Sequence, residues 1–285
     1  MEITTKEKDA IRFYQGDIRQ RDSKGNLIDK SKQSGFYGIE GAYRTMNCLM
    51  FDGIKNEEER IAEGNGKLEP AIFEEIEKVI EVYCDIYRAM CKYASGMTEV
   101  KKKMVYRTER GCSIEALKRG TTCSFMSTSQ ERIPEKFFRK KRELTILDIL
   151  YPTNVPHIDF QEVLGDEYLF KNQKEVLFPP FLNIELEKIE LSQEEKEYKD
   201  IDNKPPHAKY IVSIKGIRRR NQETESKNGK SLGKERNLFA SQVLQKLINK
   251  EKISNKEKEE YLTWKKDVRA IIWKEFKKIE EQYYE

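Results

Sequence analysis

Histidine is almost missing from this chain: its 285 residues hold two, His157 and His207, each preceded by proline. That scarcity excludes the histidine-rich sites that hold catalytic metals, and no motif supports a Cys-His or Ser-His pair. Cysteine is sparse too. Cys48, Cys84, Cys91, Cys112 and Cys123 make an odd number without CxxC spacing, which argues against a disulfide framework or a zinc knuckle and suits a reducing compartment. No stretch approaches the ~18 uncharged apolar residues that a membrane-spanning helix needs. The first residues, MEITTKEKDAIRFY, lack the apolar run of a secretory signal peptide. The expectation is a cytoplasmic protein, or one delivered into a target cell without such a signal. A strong charge bias is also missing. Lys and Arg number 54 against 50 Asp and Glu, a net +4 that does not by itself announce a nucleic-acid binder.

What is present is a folding chain with a heavily charged surface. Apolar residues make up 37%, among them 13 Phe and 14 Tyr, which is more large apolar surface than a disordered segment carries. The first hundred residues read as helical. Thr4 and Glu7 have capping-box spacing and open a helix to about Tyr14. The stretch 16–35 is polar, and Ile39, Tyr43, Met46 and Met50 recur at helical spacing. From about Ala71 to Tyr93, Ile72, Ile76, Ile80, Tyr83, Tyr87 and Met90 form one apolar stripe.

From about residue 104 the period changes. Met104–Thr108, Cys123–Ser127, Leu144–Leu150, Glu175–Phe178 and Tyr210–Ile214 are short β-prone runs with no helical crossovers between them, an α+β pattern. Residues 216–234 are polar and read as a linker or loop. Helical spacing then returns, with a second capping-box spacing at Ser254 and Glu257. The expected organisation is a domain over 1–215 (helical lobe 1–100, β core 101–215), the linker, and a helical hairpin over 235–285. That hairpin either packs back on the main domain or serves as a partner-binding appendage.

Four features of the strand region carry chemistry, and their order matters. Arg107 lies within an apolar strand run, where a guanidinium faces water or grips a phosphate or carboxylate in bidentate fashion. Phe125-Met126-Ser127-Thr128-Ser129 supplies a hydroxyl triplet. Gln173 and Glu175, two apart at the start of a strand, face one side of it. Phe170 and Tyr168 stand just before them in a polar loop, at a spacing that fits an exposed recognition tip.

Arginine, then aromatic-x-Ser-Thr-Ser, then aromatic-x-x-Gln-x-Glu resembles the arginine–serine–glutamate type of mono-ADP-ribosyltransferase, in particular the Rho-modifying clostridial exoenzymes and related bacterial toxins. The likeness spans about residues 5–215. Upstream, Ile39-Glu40-Gly41-Ala42-Tyr43-Arg44 is similar to the family's Ile-Asn-x-x-Leu-Arg helix, with Glu40 in place of Asn and Tyr43 in place of Leu.

The resemblance implies an ADP-ribosyltransferase-like split β-sandwich of two antiparallel sheets, with a helical N-terminal lobe and a C-terminal helical extension. It implies NAD+ as substrate and no metal. Arg107 and Arg44 would contact the NAD+ phosphates, with Ser127 and Thr128 beside them and Phe137 or Phe138 stacking on nicotinamide. Glu175 would stabilise the oxocarbenium-like transition state, Ser127 would orient it, and Gln173, Phe170 and Tyr168 would meet the acceptor.

A neutral amide at position 173 hydrogen-bonds an asparagine side chain or a base edge equally well. The resemblance implies an acceptor that is a protein such as a small GTPase, or a nucleic acid, and the residue does not decide between them. The clusters Phe137-Phe138-Arg139-Lys140-Lys141-Arg142 and Arg218-Arg219-Arg220 are either solvated surface or a phosphate-backbone groove. Alternatives to macromolecular transfer are an NAD glycohydrolase and a catalytically inactive partner-binding module. A toxin acting inside its producer would also require an antitoxin or immunity partner.

Overall fold

The structure is a computed structural model and describes residues 2–16, 20–26, 28–29, 32–63, 68–109, 111–132, 144–168, 171–217 and 232–284. The chain divides into two compact units. One comprises residues 90–219; the other is assembled from residues 2–89 and 220–285.

The two-segment unit is helical. Its first part contains α1 (Thr5–Tyr14), α2 (Ala42–Leu49), α3 (Lys55–Glu63), α4 (Ala71–Glu74) and most of α5 (Ile76–Ser95). The capping box at the start of α1 forms: the Thr4 hydroxyl accepts from the Glu7 amide and the Glu7 carboxylate from the Thr4 amide. Helix α2 begins later than the apolar spacing implies, because Gly41 at its N-cap takes φ +71°, a conformation open to glycine.

The second part of this unit brings the final helices into the same core. Phe73 of the first segment packs against Trp264 and Tyr261 of the second, with ring centroids 5.0 and 6.2 Å apart, and Tyr87 stacks on Phe276 at 3.8 Å. The Trp264 indole donates to Asn237 and the Ser241 hydroxyl to Glu74. At the base of this core, Lys265 and Glu57 are both fully buried, 2.6 Å apart. Lys265 also donates to the Gly53 carbonyl, and the Tyr261 hydroxyl to Glu57. The helical hairpin expected over 235–285 thus shares its buried face with residues 2–89.

The unit 90–219 is built on a sheet. In chain order its elements are β1 (Lys102–Glu109), α6 (Gly111–Lys118), β2 (Met126–Ser129), β3 (Thr145–Pro152), β4 (Ile158–Asp159), α7 (Phe160–Leu164), β5 (Glu175–Phe178), β6 (Leu182–Ile189), α8 (Gln193–Glu197) and β7 (Ala208–Ile217). The last two helices of the chain, in the other unit, are α9 (Lys234–Ile248) and α10 (Asn255–Tyr284). No proline or glycine interrupts the 30 residues of α10.

The α+β class stands. The sheet differs from the expectation of two separate antiparallel sheets. Seven strands join in the order β4-β5-β2-β1-β3-β7-β6, and the β3–β7 pair is parallel. One contact makes the sheet continuous. β1 pairs with β3 along all eight residues but meets β2 at one position only, Tyr106 opposite Ser129. Val105, Leu147, Ile149, Val176, Phe178, Leu182, Val212 and Ile214 fill the core on one side.

The imidazole of His157 lies in this unit, buried among Tyr93, Tyr151 and Phe178, with Nδ1 2.8 Å from the Val155 carbonyl. Burial lowers its pKa to about 4. Between that value and its ordinary 6.5, the unfolded chain binds a proton that the folded chain refuses, so stability falls as pH drops through this window. A shift of this size corresponds to about 3 kcal/mol. The His157→Gln variant is expected to lose less stability than the wild type between pH 7 and pH 4, read from urea midpoints. An equal loss in both proteins would show that His157 takes up its proton in the fold as readily as in the unfolded chain.

Candidate active site

Strand alternation decides which side chains meet. In the β2–β5 pair Ser129 lies opposite Glu175, Thr128 opposite Val176 and Ser127 opposite Leu177. Ser127, Ser129 and Glu175 therefore share one face, while Thr128 shares the core face with Met126, Val176 and Phe178. The Ser127 hydroxyl, diagonal to Glu175, donates to its carboxylate. Both residues are half-buried.

Arg107 arrives from β1. Along that strand it shares a face with Val105 and Glu109 and lies opposite Leu147 of β3. Its Nη1 reaches the main chain of β2 and donates to the Ser127 carbonyl, while its Nε donates to the Glu109 carboxylate. The Arg107 side chain, 26% exposed, lies beside the one pair, Tyr106 and Ser129, that joins β1 to β2. Guanidinium, Ser127 and Glu175 thus form one hydrogen-bonded chain, running through the serine's main chain on one side and its hydroxyl on the other.

The turn before Glu175 is held from below. The Ser129 hydroxyl donates to the Gln173 carbonyl at 3.0 Å, and the Gln130 amide to the Lys174 carbonyl at 3.0 Å. Gln173 itself is exposed at the end of a short 3-10 turn, Lys171–Gln173. Lys174 takes φ +42°, a left-handed conformation that a side chain disfavours, so these hydrogen bonds restrain a strained link.

Other residues singled out in the sequence lie elsewhere. Thr128 is 5% exposed on the core face, and its hydroxyl donates to the Val176 carbonyl; as strand neighbour to Ser127 it necessarily faces the other way. Tyr168, expected at an exposed tip, is 1% exposed and packs against Phe160. Its apolar ring finds the core beside α7, where a short helix replaces the expected open loop. Arg44, in the unit of residues 2–89, lies with its guanidinium carbon 4.9 Å from the Tyr43 ring centre. Phe137, Phe138 and Phe170, and the basic clusters at 139–142 and 218–220, fall outside the described residues.

Three participants went unread in the sequence. Glu109 is two residues beyond Arg107, and the strand period was sufficient to place it on the same face. Gln130 directly follows the hydroxyl triplet and donates to Asp159 at 2.5 Å. Asp159 in turn caps α7, accepting from the amides of Gln161 and Glu162; burial raises its pKa against the pull of these bonds. No spacing rule links positions 130 and 159. Among the described residues, no group of three or more His, Cys, Asp or Glu is placed to hold a metal ion, and no helix is long and apolar enough to cross a membrane.

No family model matches this chain, and no curated protein matches it. Among solved structures there is similarity to an ADP-ribosylating toxin. That structure is BECa, from a binary enterotoxin of C. perfringens, crystallised with NADH. The identity is 15% and the TM-score 0.38, over 75% of this chain and 43% of that one. The chain therefore matches less than half the length of that toxin.

Proposed function

We propose that this chain is an NAD+-dependent mono-ADP-ribosyltransferase, with Arg107, Ser127 and Glu175 as its site. The observation that supports the reading is the hydrogen-bonded chain joining these three residues, in which the Arg107 guanidinium donates to the Ser127 carbonyl and the Ser127 hydroxyl to the Glu175 carboxylate. Scission of the nicotinamide–ribose bond sends the bonding electrons to nicotinamide, which leaves neutral, and leaves positive charge on the ribose. No general acid is required. In this reading the Glu175 carboxylate, held by Ser127, stabilises that charge, and Arg107 supplies a guanidinium for the pyrophosphate. Fixing both ends of a flexible dinucleotide lowers the entropic part of the barrier.

The acceptor then attacks the ribose carbon and gives up a proton, so that NAD+ and acceptor become ADP-ribosylated acceptor, nicotinamide and a proton. In this reading Gln173, exposed and two residues before Glu175, meets a macromolecular acceptor, because an amide can hydrogen-bond an asparagine side chain or a nucleobase edge. The proposed fold is that of the transferase family, with the single-pair junction of β1 and β2 corresponding to the split between two sheets. A toxin or effector role, with an antitoxin or immunity partner, belongs to the same proposal.

The test is nicotinamide release from NAD+ by the purified chain, with and without cell lysate. Release stimulated by lysate, with label entering protease-sensitive or nuclease-sensitive material, supports transfer and identifies the acceptor class. Release indifferent to lysate reassigns the chain as a glycohydrolase. Neither release nor NAD+ binding would remove the enzymatic reading and leave a binding module.

A further inference from the structure

We propose that Gln130 is a positioning residue: its hydrogen bond to Asp159 fixes the turn that presents Gln173 and Glu175. The inference rests on the transferase reading for its effect on rate, but the brace itself is a matter of geometry. Gln130 holds two structures at once. Its main-chain amide donates to the Lys174 carbonyl, within the turn, and its side-chain amide donates to Asp159. Asp159 is anchored twice more. It pairs with Val176 in the β4–β5 ladder, and its other carboxylate oxygen receives two amides at the start of α7.

The anchor is buried while Gln130 is exposed, so a surface residue is fastened to a fixed corner. What it fastens would otherwise relax. Lys174 lies between Gln173 and Glu175 with a left-handed backbone, and a small rotation there re-aims both neighbours. The Ser129 hydroxyl restrains Gln173 from one side, and the exposed Lys174–Glu131 ion pair adds little in water. The exposed Lys171–Asp166 ion pair likewise adds little, whereas Gln130 ties the turn to a buried residue outside it.

The experiment reverses the polarity of the bond. Gln130→Glu sets a carboxylate against Asp159. Adding Asp159→Asn then lets the new carboxylate accept from the asparagine amide, and asparagine caps a helix about as well as aspartate. For the full-length protein with NAD+ as substrate, Q130E is expected to lower kcat for nicotinamide release about tenfold, the effect of one charge-assisted hydrogen bond, with KM little changed. Amide hydrogen exchange in peptide 171–176 should quicken in the same variant. In the double variant both quantities should return toward wild type.

Wild-type kcat and exchange in Q130E would overturn the proposal, and so would a double variant as impaired as the single one, since that pattern reports bulk rather than a bond. Should the wild type neither bind NAD+ nor release nicotinamide, the transferase reading fails by itself. Exchange then decides the brace: quickened in Q130E and restored in the double variant sustains it, and unchanged exchange refutes it.

Discussion

Glu175→Gln is expected to lower nicotinamide release from NAD+ by about 10²–10³, the usual loss for one preorganised electrostatic partner of a transition state. The substitution nearly preserves shape. A glutamine oxygen can still accept from the Ser127 hydroxyl, so the link between the two strands persists while the negative charge goes. The ground state holds its positive charge on the nicotinamide ring, whereas the transition state moves it toward the ribose. A carboxylate facing the ribose therefore acts mainly on kcat, and NAD+ affinity should change much less. The measurement pairs initial rates of nicotinamide release with NAD+ binding by calorimetry. A variant that binds NAD+ and turns it over at the wild-type rate would mean that Glu175 holds structure, not chemistry.

Lys265→Met is expected to destabilise the helical unit by about 3–5 kcal/mol, because it leaves the Glu57 carboxylate buried without its cation. Both members of the pair are fully inaccessible, so water offers Glu57 no substitute. The Tyr261 hydroxyl stays as a donor to Glu57 but does not carry the compensating charge. Adding Glu57→Gln removes the stranded charge, and the double variant should recover much of the loss. The chain's two tryptophans, Trp264 and Trp273, both lie in α10. Tryptophan emission in urea therefore reports on the helical unit separately from the sheet. A shift under about 1 kcal/mol for the single variant would place the pair among exposed ion pairs of small effect.

The elements that sequence displayed best are those whose signal is local. The Thr4–Glu7 and Ser254–Glu257 boxes both form at helix starts. The run Glu175–Phe178 is strand β5 without adjustment, because four consecutive residues already carry the pattern and a polar turn precedes them. Strand β6 went unread, although Leu182, Ile184 and Leu186 alternate with polar residues. As an edge strand it wears charges along its outward positions, and these masked its period. The parallel pairing of β3 with β7 had no local signature, since it joins residues some sixty positions apart.

The same division runs through the candidate site. Arg107, Ser127 and Glu175 were visible as an ordered set of residue types, and the fold links them by hydrogen bonds. Thr128 and Tyr168 were grouped with them by proximity in sequence, but strand alternation and core packing turn both away. The Gln130–Asp159 bond was invisible, because a contact between an ordinary glutamine and an ordinary aspartate declares nothing before the chain folds.

The helical unit's two-segment composition has a consequence for how the protein is made. A ribosome delivers residues 2–89 before the sheet unit, and the helices that cover Phe73 and Glu57 emerge only after the whole of that unit. Throughout that interval the early helices present an unfinished apolar surface and an unneutralised carboxylate, a state prone to aggregation and open to chaperones. The middle unit is free of this delay. Its residues 90–219 are contiguous, so it occupies the position of a domain inserted into a host that closes only once α10 has been made.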